Sequence, residues 1–209
     1  MTKKQVQRAV ERHMAHLFPD LRAVGDLLVA RNDPLLRGFS FERSQLDKFS
    51  FRLRVFVQML SVPEDTVTFD LSRELGDFSV QDGEEEAFGA AAEAAQDEGN
   101  SFLLFRQDCR SLLEGLDSAA TATSDGRLVR EVRCHCLILS GNDQAALQEM
   151  HGLEDELSPV EVPYEQAALD RVSSLRTAVE SSHDEAVALL ERWTVETVSA
   201  LDLDDLDDG

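Results

Sequence analysis

Apolar residues recur at every second position in three stretches, 38–43, 49–59 and 67–71, and this alternation constrains the fold more than any other feature of the chain. In the segment 49–59 one face is apolar throughout, whereas the other face carries Arg52 and Arg54. Side chains of a β-strand point alternately to its two faces, so this pattern predicts a long, half-buried strand. Shorter alternating stretches on either side complete a predicted antiparallel meander of three strands near residues 38–73.

A second alternating stretch covers residues 128–139. Its apolar side chains share one face if the segment is extended, and they are Leu128, Val132, Cys134, Cys136 and Ile138. The stretch predicts a fourth strand. The sequence therefore predicts an α+β fold, in which an antiparallel sheet of about four strands packs against helices.

Helical periodicity occurs before and after the predicted sheet. Apolar residues at intervals of three and four predict helices over residues 3–17, 21–31 and 102–116, the last with Cys109 on its buried stripe. The acidic, alanine-rich segment 82–98 is either an exposed helix or a mobile loop. Small polar residues predict a flexible link at 118–126.

The C-terminal part of the chain is predicted to be helical. Ser182 and Glu185 have the spacing of a capping box, which predicts a break between two helices near Ser181. These patterns divide the chain into an α+β core domain (1–157), a helical C-terminal region packed on that core (158–201) and a frayed acidic tail (202–209).

The charge is distributed unevenly along the sequence. Residues 1–60 contain 11 Lys and Arg against 6 Asp and Glu, whereas residues 61–209 contain 9 against 35. The acidic majority predicts a basic protein partner and disfavours nucleic acid as a ligand, because its phosphates would be repelled. Adaptation of a whole proteome to high salt is the alternative source of such acidity.

Composition also bears on the compartment. The chain has three cysteines, an odd number that is typical of a reducing environment rather than of a disulfide-stapled secreted domain. The first residues lack the apolar segment of a signal peptide, and no stretch is apolar enough to predict a membrane-spanning helix. We therefore expect a cytoplasmic protein that does not insert into a membrane.

The tripeptide Cys134-His135-Cys136 is the motif with the clearest chemical potential. On a strand, both thiols project to one face and provide half of a zinc site, which needs about four ligands. The remaining candidate ligands are distant in sequence: Cys109, His13, His16, His151 and His183. The alternative interpretation is that both cysteines are small apolar side chains of the core, in which case no cofactor is expected.

Four basic residues form the other candidate site. Arg43, Lys48, Arg52 and Arg54 lie close together in sequence and are hypothesised to bind an anion or a nucleic acid. Alternatively, the arginines pair within the fold with carboxylates from residues 82–98 or from the C-terminal helices.

No catalytic motif occurs in the sequence: there is no Gly-x-Ser-x-Gly, Ser-x-x-Lys or phosphate-binding glycine loop. The sequence therefore predicts a non-catalytic protein-binding or regulatory domain, of the inhibitor or adaptor kind, that acts through charged surfaces. The C-terminal helices offer a broad apolar surface for self-association. The alternatives are a metal-binding or thiol-dependent enzyme using Cys134 and Cys136 with a histidine, and anion binding through Arg43, Arg52 and Arg54.

Overall fold

The structure is a computed structural model that describes residues 2–44, 47–69, 71–81, 83–104, 106–117, 126–158, 160 and 162–206. The predicted link 118–126 lies outside these residues except for Gly126. The chain forms two compact units that are not continuous in sequence. Unit 1 comprises residues 1–58, 71–107 and 205–209, and unit 2 comprises residues 59–70 and 108–204.

Unit 1 is built on an antiparallel sheet of five strands in the order β1-β2-β3-β4-β5. The strands are Arg22–Val24 (β1), Leu27–Asn32 (β2), Leu35–Arg43 (β3), Ser50–Met59 (β4) and Leu71–Ser79 (β5). The meander predicted near residues 38–73 corresponds to β3, β4 and the start of β5. The third strand begins at Leu71, later than the alternation at 67–71 predicts.

The helix predicted over residues 21–31 is wrong, because this segment is the hairpin of β1 and β2. Val24 pairs with Leu27, so Gly25 and Asp26 form a two-residue turn. Gly25 has a φ of 62°, a conformation that glycine adopts without steric cost. The leucines and valines that imitate helical spacing therefore lie on two short strands.

Helices of unit 1 cover one face of its sheet. They are Lys3–His13 (α1), the 3₁₀-helix Ala15–Leu17, Glu84–Ala94 (α2), the π-helical segment Ala95–Gly99 and Asn100–Leu104 (α3). Phe88 of α2 is completely buried, and its ring lies 4.8 Å from the ring of Phe51 on β4 and 6.2 Å from that of Phe41 on β3. The acidic segment 82–98 is thus largely helical, and its apolar side packs on the sheet.

Unit 2 is helical. Its helices are Cys109–Asp117 (α4), Gly126–Leu139 (α5), Asp143–Glu156 (α6), Pro163–Ser181 (α7) and His183–Ala200 (α8). The break near Ser181 is confirmed, and the Ser182 hydroxyl caps α8 by accepting a hydrogen bond of 3.2 Å from the Glu185 amide. The helix predicted over 102–116 is divided between α3 of unit 1 and α4 of unit 2.

The strand predicted at 128–139 is wrong, because these residues form α5. The helix is buried on several sides: Glu131, Val132, Cys134, His135, Cys136 and Ile138 are all inaccessible. A helix that is surrounded by others loses the one-sided apolar stripe by which a helix is recognised in sequence. The predicted α+β class with an antiparallel sheet and a helical C-terminal region is nevertheless confirmed.

The predicted frayed tail differs in part from the structure. Leu203 and Leu206 are buried, and the Leu206 carbonyl accepts a hydrogen bond of 3.1 Å from the Arg31 guanidinium of β2. Residues 207–209 lie outside the described residues.

Candidate functional site

The basic residues of the sheet are in contact with carboxylates. Arg52 lies 2.9 Å from Asp77 and 3.0 Å from Glu74, and Arg54 lies 2.7 Å from Glu42 and 3.1 Å from Glu74. The partners belong to β3 and β5 rather than to residues 82–98 or the C-terminal helices. Three carboxylates therefore contact the two guanidinium groups, and an anion would have to displace these carboxylates in order to bind there.

The other two residues of the predicted anion site lie close to these pairs in sequence. Arg43 is exposed at the end of β3, and Lys48 is exposed 4.9 Å from the ring of Phe49, just before β4. The structure thus brings Arg52 and Arg54 together through Glu74.

Cys134 and Cys136 lie on α5, so they do not share a face. Residues two positions apart on an α-helix are separated by about 200° around its axis. Both thiols are buried, and burial, together with the charges of Glu149 and Glu131, raises the pKa of Cys134 to about 12. A thiol with this pKa is protonated at neutral pH, whereas zinc binds the thiolate.

Cys136 instead faces Cys109 of α4. The hydrogen bond between the two thiols, together with burial, raises the pKa of Cys136. No group of three or more His, Cys, Asp and Glu side chains with the geometry of a metal site occurs among the described residues.

His135 of α5 is buried and contacts Ser61 as well as Trp193 of α8. Its Nδ1 lies 2.9 Å from the Ser61 hydroxyl, and its ring stacks on the indole of Trp193 at 6.0 Å. Burial, together with the charge of Arg171, lowers the pKa of His135 from 6.5 to about 3. The imidazole is therefore neutral in the folded protein at physiological pH.

We expect His135 to make the protein sensitive to acid. Between pH 6.5 and 3 the unfolded chain binds a proton at this position and the folded chain does not, so stability falls as the pH decreases, by about 1.4 kcal/mol for each pH unit. Equilibrium unfolding of the wild type and of His135→Gln at several pH values measures this contribution. The difference in unfolding free energy between the two proteins should shrink below pH 6.5.

His151→Gln is the control, since it removes an imidazole from the exposed side of α6 in the same unit. This variant gives the change in the pH dependence of the unfolding free energy that follows the loss of a histidine at the surface. Parallel pH curves for the wild type and His135→Gln would contradict a buried neutral imidazole.

Unit 2 contains a groove between its helices, with a volume of about 680 Å³. We call it the helical groove. Four helices and the segment 63–65 line it with side chains at helical spacing: Pro63, Glu64, Asp65, Arg127, Leu128, Glu131, Leu153, Leu157, Tyr164, Ala167, Ala168, Arg171, Glu196, Thr197 and Ala200. Most are apolar or small, and the exposed Tyr164 and Glu196 show that the groove opens to solvent.

Both arginines of the helical groove are held by buried glutamates. Arg171 donates two hydrogen bonds to Glu131, of 2.6 and 2.9 Å, and Arg127 is paired with Glu165. Burial lowers the pKa of Arg171, but the hydrogen bonds to Glu131 and the charge of Glu131 raise it, and the pKa of Arg171 is raised overall. The arginines are therefore fixed parts of the wall.

Because each arginine is paired with a glutamate, the other charged residues make the helical groove negative. Glu64, Asp65 and Glu196 add three carboxylates to the lining, of which Asp65 and Glu196 are exposed. Their combined field favours a cationic ligand.

Thr197 places an unusual hydroxyl in the wall of the helical groove. The residue is 1% exposed, and its Oγ1 has no hydrogen-bond partner among the residues that the structure describes. Two other threonines of these helices donate to the carbonyl four residues earlier: Thr194 to Leu190 at 3.0 Å and Thr177 to Ser173 at 2.8 Å. A buried polar atom without a partner is destabilising, so this hydroxyl lowers the stability of unit 2.

Sequence reasoning missed the helical groove because its residues are distributed over five segments. The apolar seam of α7 that periodicity detects, with Val172, Leu175 and Val179, is the buried side of the helix. The adjacent positions 164, 167, 168 and 171 also recur at helical spacing. That repeat identifies a face of α7 but not the helices that face it.

In the described part of the chain, no helix has the length and apolarity that crossing a membrane requires. Comparison of the chain with protein-family models, curated proteins and solved structures found no match.

Proposed function

We propose that the protein is a non-catalytic binding module whose helical groove receives a basic amphipathic helix of a partner protein. The observation that carries this proposal is the combination of an open apolar groove of about 680 Å³ with the exposed carboxylates of Asp65 and Glu196 in its lining. An amphipathic helix that is laid in a groove buries its apolar side chains and keeps its charged residues at the edges.

The floor of the helical groove suits apolar anchors. Leu153 and Leu157 of α6 are each 1% exposed, and the small Ala167, Ala168 and Ala200 leave room beside them. Leucine side chains of a ligand would be desolvated there, which is the main source of affinity in such complexes.

The chemistry of the groove favours binding over catalysis. Its lining contains no cysteine or histidine among the described residues, and both arginines are already engaged. The remaining polar groups are exposed carboxylates, Tyr164 and the Thr197 hydroxyl, which form no nucleophile–base pair that the structure records. Carboxylates at the edge steer a basic partner and increase its rate of association.

The test uses a defined probe, a fluorescein-labelled peptide of leucine and lysine with about 14 residues, or four helical turns. Fluorescence anisotropy compares it with a peptide of the same apolar pattern in which glutamate replaces lysine. We expect the lysine peptide to bind, the glutamate peptide to bind far more weakly, and the affinity to fall at higher ionic strength.

Two glutamates of α8 provide a matched pair of variants. Glu196 lines the helical groove and Glu191 does not, although both are exposed and both variants change the charge equally. Glu196→Lys should weaken binding of the lysine peptide about tenfold, or about 1.4 kcal/mol, whereas Glu191→Lys should change it little. Equal effects of the two variants would show attraction to net charge alone and would reject the groove as the site.

A further inference from the structure

Two thiols of unit 2 are in contact across neighbouring helices. Cys109 is the first residue of α4, and its side chain is hydrogen-bonded to that of Cys136 in the last turn of α5. Cys134 instead lies in the apolar core cluster that also contains Met150 of α6 and Leu175 of α7. The tertiary structure thus pairs Cys109 with one of the two cysteines of α5.

The two thiols differ in their access to solvent. Cys136 is completely buried, whereas Cys109 is partly exposed at the start of α4. A small oxidant therefore meets Cys109 before it meets Cys136. Cysteines that sense oxidants share this arrangement, in which an accessible thiol lies next to a second thiol that can resolve its oxidised form.

The position of Cys109 also favours its thiolate form. Asp108 caps α4 by accepting a hydrogen bond of 2.8 Å from the Ser111 amide, so Cys109 is fixed in the first turn, where the helix dipole stabilises a negative charge. The hydrogen bond with Cys136 lowers the pKa of Cys109, although burial and the charge of Asp108 oppose this change. The thiolate is the reactive form of cysteine, so Cys109 is the nucleophile of the pair.

We propose that Cys109 and Cys136 are an oxidation-sensitive thiol pair, which hydrogen peroxide converts into an intramolecular disulfide. In the first step the Cys109 sulfur attacks one oxygen of the peroxide and the O–O bond breaks. Cys109 becomes a sulfenic acid, and the other oxygen leaves as hydroxide and takes up the proton that the thiol lost. In the second step the Cys136 sulfur attacks the Cys109 sulfur, and the sulfenic hydroxyl leaves as water with the proton of Cys136.

The reaction is balanced by the peroxide, which accepts the two electrons that the thiols lose and is reduced to two water molecules. A dithiol reductant reverses it by thiol–disulfide exchange. The disulfide would join the first turn of α4 to the last turn of α5 and so constrain unit 2. The described lining of the helical groove contains neither cysteine, so this inference does not depend on the function proposed for the groove.

The experiment treats the reduced full chain with hydrogen peroxide, alkylates the remaining thiols after denaturation and maps the products by mass spectrometry of peptides. We expect a disulfide between Cys109 and Cys136, with Cys134 alkylated. The folded chain should prefer Cys136 over Cys134 as the partner by about tenfold or more, because only Cys136 is in contact with Cys109. The same treatment in urea should give the two disulfides in similar amounts, since the two cysteines are neighbours in sequence.

Three variants separate the two steps. Cys136→Ala should stop the reaction at the sulfenic acid of Cys109, which dimedone labels, and Cys109→Ala should form no disulfide. Cys134→Ala is the matched control, because it removes the other buried thiol of α5. This variant should form the disulfide at the rate of the wild type.

Two results would overturn the proposal. One is a folded wild type that forms no disulfide with peroxide, and the other is a folded wild type in which Cys109 pairs with Cys134 as readily as with Cys136. Both results are obtained on the natural sequence, so they are decisive even if Cys136→Ala does not fold.

Discussion

Replacement of Glu131 by alanine is expected to destabilise unit 2 by about 3–5 kcal/mol, the cost typical of breaking a buried ion pair. The Glu131 side chain is 4% exposed and accepts both hydrogen bonds of the Arg171 guanidinium, which is itself 20% exposed. Without Glu131, the Arg171 charge remains in the wall of the helical groove without its bidentate partner. Chemical unfolding monitored by the fluorescence of Trp193, the one tryptophan of the chain, measures the loss.

The control for Glu131→Ala is Glu156→Ala. Glu156 forms an ion pair of 2.8 Å with Arg130 in the same unit, but the two side chains are 49% and 34% exposed. Solvent screens such a pair, so we expect a loss of about 0–1 kcal/mol. The double variant Glu131→Leu/Arg171→Leu should recover most of the stability, because no charge is left buried alone. Similar losses for Glu131→Ala and Glu156→Ala would contradict this account.

The second large effect is expected at Gly38 of β3. The φ of Gly38 is 153°, and a Cβ atom at this position would lie 2.1 Å from the carbonyl oxygen of Leu28 on β2. The obstacle is backbone of the paired strand, so it cannot move aside without disturbing the ladder. Gly38→Ala should therefore destabilise unit 1 by about 3–5 kcal/mol, measured by amide hydrogen exchange of β2 and β3.

Gly89→Ala is the matched glycine variant. Gly89 is an exposed residue inside α2, where a Cβ atom would meet no atom within 4 Å. Alanine is the better helix former, so this variant should stabilise unit 1 by about 0.5–1 kcal/mol. If Gly38→Ala were tolerated as well as Gly89→Ala, the close approach of β2 and β3 would be refuted.

The strands of the sheet were predictable where one face of a strand is buried and the other face is exposed to solvent. On β4 the alternation of Phe51, Leu53 and Val55 with Arg52 and Arg54 reports this directly. The hairpin of β1 and β2 also left a signal, since a Gly-Asp pair between apolar residues is typical of a tight two-residue turn. Its strands are so short that their leucines and valines also fit a helical period.

The error at α5 has a different physical origin. Leu128, Val132, Cys134, Cys136 and Ile138 imitate a strand because the helix is buried around most of its circumference. Its charged residues did not correct the error, because Glu131 is buried and paired with Arg171, and a sequence cannot reveal such a pair. The helical groove was equally inaccessible to prediction, because tertiary packing brings together residues from 63 to 200.

The discontinuity of the two units has a consequence for vectorial synthesis on the ribosome. Residues 1–58 and 71–107 of unit 1 are translated before residues 108–204 of unit 2, but Leu206, which bonds Arg31 of β2, is made after them. Leu206 follows Arg31 by 175 residues, so at roughly 5–20 residues per second β2 waits about 9–35 s for this partner. During that interval the carbonyl that Arg31 will bind does not exist, and Asp33, at 2.7 Å, is the local carboxylate that holds the guanidinium in place.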